Sequence, residues 1–386
     1  MLLPDIQTPT LLLDEAVCRR NIARMRAKAD AYGLRFRPHF KTHQSQRIGS
    51  WFREEGVKAI TVSSVGMAQY FADDGWDDII IAFPVNLREA AAIDALAGRV
   101  SLGVLVESPS VAARLNAELQ APVDIWVKID TGYGRSGISY DESDKLQTLV
   151  RSIESAPMLH LRGILTHGGD TYHAAGPADM LQRFALSRKR MIMAAETLRK
   201  YHPDILISVG DTPGCTLAED FTGIDEIRPG NFVFYDVMQL HRGVCRVEDI
   251  AVALACPIVA FHDARDELVL YGGAVHLSRE YIADARGTQV FGLVAPVEDQ
   301  RWGAPIAGAY VARISQEHGI VHLPAEHRFS LIEGDLLAII PVHSCLTAEC
   351  MKQYRCLDGT PADHLAGAFP HAATSIPKHS SKGHAL

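Results

Sequence analysis

Apolar residues at Cys18, Ile22, Met25, Ala29 and Tyr32 recur at spacings of 4, 3, 4 and 3, the period of one helix face. Asp14 stands where an N-cap is expected and Gly33 where a helix stop is expected, so both ends of this amphipathic helix are marked. A short strand-like segment, 34–37, follows and is broken by Pro38. The two periods then alternate. Strand character appears at 59–63, 79–83, 101–106, 124–130, 160–166, 205–209 and 225–228, with helical stretches such as 86–97, 108–119, 141–155 and 177–201 between. Together with 34–37 this makes eight strands, the number that closes a parallel (β/α)8 barrel of the TIM type. An open doubly wound sheet is the competing architecture. No Gly-x-Gly-x-x-Gly follows an early strand, which weighs against it.

Past residue 245 the pattern changes. Short β-like runs at 251–261, 267–272, 289–295, 308–315 and 335–340 are joined by turns containing Gly and Pro, which predicts a second, mostly β domain. The expected division is a barrel over 8–245 and a β domain over 246–376, which residues 1–7 join. Residues 377–386 are expected to be a flexible tail.

Composition narrows the function. Lys and Arg total 38 against 46 Asp and Glu, a net charge of −8, with no basic cluster, and this excludes a nucleic-acid partner. The longest apolar runs fall well short of the roughly 20 residues of a membrane span, and the N-terminus does not read as a signal peptide. Seven cysteines, an odd number spread along the chain, suit a reducing cytoplasm. The expectation is a cytoplasmic α/β enzyme with a small-molecule substrate.

Four segments offer chemistry. Arg37-Pro38-His39-Phe40-Lys41-Thr42-His43 follows the first barrel strand, on the face where barrel enzymes place catalytic groups. Lys41, flanked by aromatic, imidazole and cationic groups, can act there as nucleophile or base, or can be a solvated loop lysine. Asp130–Gly137 is a glycine-rich turn that can present Arg135 to the barrel mouth. Gly210–Gly214 and Arg228–Asn231 follow strands seven and eight, where such barrels bind phosphate, although the same residues serve ordinary turns. Finally, on an extended segment, His343 and Cys345 would point to one side and offer nitrogen and sulfur to one metal ion, a set that suits Zn²⁺ better than Mg²⁺ or Ca²⁺. A buried cysteine beside a hydrogen-bonded histidine is the alternative. The spacing of Cys350 and Cys356 from Cys345 matches no compact structural zinc motif.

In order and spacing these segments, with the opening Thr8–Asp14, resemble the D-threonine aldolase and D-serine dehydratase group of fold-type-III pyridoxal phosphate (PLP) enzymes, relatives of alanine racemase. The resemblance implies that Lys41 forms the Schiff base with PLP and that Arg135 approaches its phenolic oxygen. It also implies that Thr212, Gly230 and Asn231 bind phosphate, that His167 and Tyr172 lie beside the cofactor, and that His343 and Cys345 hold a divalent metal. Zinc is first choice, with manganese or magnesium as alternatives. The second metal ligand is typically aspartate in the aldolase branch, so His-x-Cys leans toward the dehydratases. Two positions depart from the pattern: Leu165 stands where a tyrosine is usual and Met67 where a glutamate often stands. A homodimer is also implied.

The reaction expected is dehydration of a small D-β-hydroxy amino acid to a 2-oxo acid and ammonia. Lys41 or a neighbouring histidine, His39 or His43, would remove the Cα proton, and the metal would act on the β-hydroxyl. Retro-aldol cleavage to glycine and an aldehyde is the runner-up. A racemase would need a second base and no metal, and a PLP carrier would not need the β domain.

Overall fold

The computed structural model describes residues 5–284, 286–298, 301–328 and 331–365. The expected tail at 377–386 lies outside them. Asp14 caps the first helix, Glu15–Ala31, by accepting the Val17 N–H at 3.0 Å, and Gly33 follows at φ +66°. Cys18, Ile22, Met25 and Ala29 face the core, but Tyr32, the C-cap residue, is 40% exposed.

The eight barrel strands are Arg35–Phe36, Ile60–Val62, Asp78–Pro84, Ser101–Val106, Val123–Asp130, Leu159–Leu165, Leu206–Val209 and Glu226–Ile227. From the second to the eighth, each pairs in parallel with its successor, and the eighth pairs with the first through Glu226 and Arg35. The last seam, between the first and second strands, closes through a His39–Thr61 bridge, with Phe40 N–H donating to Thr61 O at 2.8 Å. The ring therefore closes at the turn that bears Lys41.

Helices Gln46–Glu54, Val65–Asp73, Ala90–Ala97, Pro109–Glu118, Ser143–Glu154, Pro177–Arg199 and Thr212–Leu217 follow strands one to seven. Ser45, Ser64, Ser108 and Asp211 cap four of them with side-chain oxygens, which fixes where each loop ends. The eighth strand leads into a 3₁₀ turn, Asn231–Val233, and a one-turn helix, Val237–His241, and the first helix covers the 3₁₀ turn, Asn21 donating to Val233 O at 3.3 Å.

Side chains fill the barrel. Trp126 packs with Ile80, Leu105 and Leu165, and Gly163 on the next strand makes the room, since a Cβ there would lie 2.6 Å from the indole ring. Beside this cluster Arg37 is held by Glu226 at 2.7 Å and Asp78 at 2.6 Å. Glu226 also accepts from Ser208 Oγ at 2.6 Å.

The second domain is a nine-stranded sheet, mostly antiparallel. Val252–His262 pairs on one side with Leu336–Pro341 and on the other with both Glu267–Tyr271 and Thr10–Leu13. The opening strand Thr10–Leu13 thus belongs to this sheet, although the sequence placed it with the barrel from residue 8. Three consecutive leucines, each at most 1% exposed, need cover on both faces, and hydrogen bonding to Val252–His262 and Tyr354–Cys356 satisfies both backbone edges. One continuous hydrophobic core runs through barrel and sheet. Among the described residues no helix is long and apolar enough to cross a membrane.

Candidate active site

Lys41 is exposed between two buried neighbours, Phe40 and Thr42, on the turn at the closing seam. Its charge lowers the proton affinity of His39, His167 and Cys345, so all three lie within its electrostatic reach. His39 Nδ1 accepts the Lys41 backbone N–H at 3.3 Å. Burial, then the charges of Lys41 and Arg228, holds the His39 imidazole far below its ordinary pKa and therefore neutral.

His43 is not brought to this group. Its ring is fully buried against Phe40, Phe52 and Phe71, at 4.4, 5.6 and 6.0 Å between centroids. Nδ1 accepts the Ser45 N–H at 3.1 Å and Nε2 has no partner. Burial pushes its pKa down to about 3. His43 is a core residue, which corrects its place among the catalytic candidates. Two residues further along the turn from Lys41, it swings inward where Lys41 swings out.

Arg135 lies exposed over the Tyr133 ring, 5.5 Å from its centroid, and its charge reaches His167 and Lys128. His167 Nδ1 is 2.7 Å from Gly210 O, and burial followed by the Arg135 charge lowers its pKa to about 3. A neutral, flat imidazole results, facing Tyr172 at 6.0 Å.

The loops after strands seven and eight are tied together, Phe232 N–H donating to Thr212 Oγ1 at 3.2 Å. Tyr172 Oη accepts the Thr212 N–H at 3.3 Å. Both hydroxyls act as acceptors in these bonds, so each keeps its own proton to donate. Gly230 packs so closely on the Lys41 turn that a Cβ would lie 2.8 Å from His39 O and 3.2 Å from Thr42 Oγ1. Donor hydroxyls around a floor with no side chain fit a phosphate group. The Asn231 amide nitrogen donates to Asp236 at 2.7 Å and Ser344 at 3.0 Å and lies 3.6 Å from Cys345 Sγ, so the side chain braces this loop against the His343–Cys345 junction.

His343 and Cys345 do not lie on one extended segment. The strand Leu336–Pro341 has ended, His343 is the N-cap of helix Ser344–Met351, and Cys345 sits in its first turn. The junction still keeps the two side chains near enough for each to shift the other's proton affinity. Burial alone would neutralise both groups. The pairing outweighs it, pushing His343 up to about 11, with help from Glu280, and pulling the Cys345 thiol down. Thr42 Oγ1 is 3.3 Å from Cys345 Sγ, which joins the pair to the Lys41 turn. Cys350 is exposed, and among the described residues no cluster of three or more His, Cys, Asp or Glu could hold a metal.

Of the two departures, Leu165 lies inside the barrel, on the strand register of Lys128. Met67 is a core residue on helix Val65–Asp73. Three participants, Lys128, Glu280 and Asp236, were missed from the sequence, and Arg228 was named there only as part of the loop after strand eight. Arg228 sits in the barrel, held by Ser208 Oγ at 2.7 Å and by Thr166 O, and burial brings its pKa down to about 10. Lys128 is buried with its Nζ 3.0 Å from Ile129 O, and burial followed by the charges of Arg228 and Arg135 brings its pKa down to about 7. Glu280 lies 3.1 Å from His343 Nδ1, and Asp236 accepts from Ser344 N–H at 3.1 Å. Only Lys128 and Arg228, charged residues inside or just after apolar strands, left a signal in the sequence.

A lysine at the mouth of a (β/α)8 barrel, a phosphate-shaped cradle opposite it and a C-terminal β domain define the alanine-racemase-like class of PLP enzymes. Residues 13–237 match the family model described as alanine racemase, N-terminal domain, and residues 251–357 match the putative serine dehydratase domain. The chain belongs to this family of fold-type-III, PLP-dependent lyases. It is 31% identical over 364 residues to D-threo-3-hydroxyaspartate dehydratase of Delftia sp., covering 91% of this chain and 94% of that protein. The solved structure of that enzyme superposes with a TM-score of 0.86 over 94% of this chain and 99% of the other, at 29% identity. D-serine dehydratase of Dictyostelium discoideum is 28% identical over 381 residues, 92% of this chain and 94% of its own. The 3-hydroxy-D-aspartate aldolase of Paracoccus denitrificans is 30% identical over 243 residues, 60% of this chain and 61% of its own.

Proposed function

We propose that this protein dehydrates small D-configured β-hydroxy amino acids, of the D-serine, D-threonine or D-3-hydroxyaspartate type, with PLP and a divalent metal. Water is lost across Cα–Cβ, and hydrolysis of the resulting enamine returns it, so the net products are one 2-oxo acid and one ammonia. The observation that carries this is the 3.3 Å contact between Thr42 Oγ1 and Cys345 Sγ, which sets the lysine turn against the imidazole–thiolate pair. The dehydratase relatives match across both domains, whereas the aldolase match covers 60% of the chain. In solved structures titled D-threo-3-hydroxyaspartate dehydratase, a histidine and a cysteine two positions apart have been replaced by alanine, and the cysteine mutant's structure is of a metal-free form. His343 and Cys345 have the same spacing.

When bound, PLP supplies an electron sink that acidifies the Cα proton. Thr212, Tyr172 and the Gly230–Asn231 backbone would hold its phosphate, His167 its ring and Arg135 its phenolic oxygen. Lys41 Nζ would take the proton from Cα. His39 is too weak a base and His43 is out of reach. Glu280 at Nδ1 leaves His343 Nε2 for a metal, with Cys345 Sγ as the second ligand. A cation there would supply a Lewis acid for the β-hydroxyl. Nitrogen with sulfur favours zinc. The seven free thiols suit a reducing cytoplasm, and a homodimer rests on the family resemblance. Retro-aldol cleavage uses the same groups with the hydroxyl deprotonated instead of expelled, and stands second.

Ammonia release from D-β-hydroxy amino acids is expected to vanish on EDTA treatment and return with Zn²⁺ or Mn²⁺. Activity indifferent to chelation would remove the metal from the scheme, and full activity in Lys41→Ala would remove the lysine.

A further inference from the structure

The turn from Lys41 to Ser45 leaves the barrel and enters helix Gln46–Glu54 through an unusual conformation, with Gln44 at φ +46°. A non-glycine residue persists in that region only when its surroundings hold it there. Beside local bonds such as Gln44 N–H to Phe40 O at 3.0 Å, three tethers come from residues 349–365. Tyr354 Oη donates to His43 O at 2.7 Å, Leu365 N–H donates to Gln44 O at 2.7 Å, and the Gln44 amide donates to Glu349 at 2.6 Å.

Asp363 makes the densest contact. Its carboxylate accepts the backbone N–H groups of Gln46 at 2.7 Å and Arg47 at 3.0 Å, the Ser45 hydroxyl at 2.9 Å and the Tyr70 hydroxyl. Ser45 Oγ meanwhile takes the Ile48 N–H at 3.1 Å. The first three N–H groups of the helix are therefore satisfied, two of them by a residue more than 300 positions away in the chain. A helix of this length could be capped locally, as three others in the barrel are by serine or aspartate alone. Here the β domain adds a second cap to the one Ser45 makes, and the segment so fixed is the one between the helix and Lys41.

We propose that Asp363 is a positioning residue for Lys41: through the helix start and the Gln44 turn, the C-terminal strap 354–365 sets where the lysine amine lies relative to the phosphate cradle. This role rests on Lys41 carrying the cofactor, as read above. It acts through the turn and touches neither substrate nor cofactor. Hydrogen bonding holds the Asp363 carboxyl below its usual range despite burial, as a charged acceptor for several donors requires.

The test compares Asp363→Asn and Asp363→Glu with Arg47→Met in the full chain. Arg47→Met cuts the strap's side-chain bonds to Thr360 Oγ1 and Pro361 O, both at 2.9 Å, without touching the turn. PLP affinity is measured by equilibrium dialysis, and attachment at Lys41 by borohydride trapping and peptide mass spectrometry. Thermal midpoints report general destabilisation. Asp363→Asn is expected to weaken PLP binding about tenfold, about 1.4 kcal/mol, to lower the trapped fraction at saturating PLP, and to reduce kcat with little change in KM. Asp363→Glu should recover part of the loss. Arg47→Met should lower the thermal midpoint and leave affinity and trapping as in wild type. Wild-type trapping in Asp363→Asn, or an equal trapping loss in Arg47→Met, overturns the positioning role alone. A wild-type protein that attaches no PLP at Lys41 overturns the cofactor reading as well.

Discussion

Replacing His43 with phenylalanine separates a buried core histidine from a catalytic one. In the folded protein its imidazole does not protonate until about pH 3, against an ordinary value of 6.5, because burial among aromatic rings disfavours the cation. The unfolded chain therefore binds the extra proton first as pH falls. Stability contributed at this position is complete above 6.5 and drains away as pH drops from there toward 3. Each tenfold change in proton affinity is worth about 1.4 kcal/mol, so the full window stakes about 5 kcal/mol, and by pH ~4.5 about 3 kcal/mol is gone. Phenylalanine keeps the ring packing, loses the 3.1 Å bond from Ser45 N–H and does not titrate. That lost bond costs about 1–3 kcal/mol. Urea midpoints measured side by side should show the variant less stable near neutrality, with the gap closing or reversing toward pH ~4.5. kcat at neutral pH should stay within severalfold of wild type. A gap that does not change with pH would refute the neutral, buried imidazole. A loss of kcat by about a hundredfold or more in a folded, PLP-saturated variant would return His43 to the catalytic set.

Other outcomes follow from the same geometry. Gly230→Ala places a Cβ 2.8 Å from His39 O, so the cradle must shift; PLP affinity by fluorescence titration should fall at least about tenfold while helix content by circular dichroism holds. Cys345→Ala should abolish stoichiometric zinc measured by metal analysis after dialysis. Glu280→Gln keeps a partner at His343 Nδ1 but removes the charge, and metal affinity should weaken by about ten- to a hundredfold, read in a competition titration with a chromogenic chelator.

The two-domain plan was legible because strand and helix periods alternate cleanly up to residue 245 and then cease. Asp14 and Gly33 marked the two ends of the first helix, and Pro38 marked the end of the first strand. The opening strand was misplaced because Thr10–Leu13 pairs with residues about 240 and 340 positions away, which no local pattern records. Lys41 could be singled out from its position at a strand end. His39 and His43 could not be told apart, since both flank it in the same turn, and only the tertiary packing turns the His43 ring into the Phe40, Phe52 and Phe71 cluster. The His343–Cys345 pair was found by spacing although its extended geometry was wrong, because a strand-to-helix junction also brings residues two apart together. Glu280 and Asp363 were invisible, each acting across more than 60 positions on a segment it does not adjoin.

The most direct measurement quantifies all products from purified protein supplied with PLP and Zn²⁺, on D- and L-serine, threonine and 3-hydroxyaspartate. The account predicts ammonia and a 2-oxo acid in equal amounts from one or more of the D-substrates, and no turnover of their L-counterparts. Glycine with an aldehyde as the main products would contradict dehydration in favour of carbon–carbon cleavage. Interconversion of D- and L-forms without ammonia would contradict both and remove the metal pair from the chemistry.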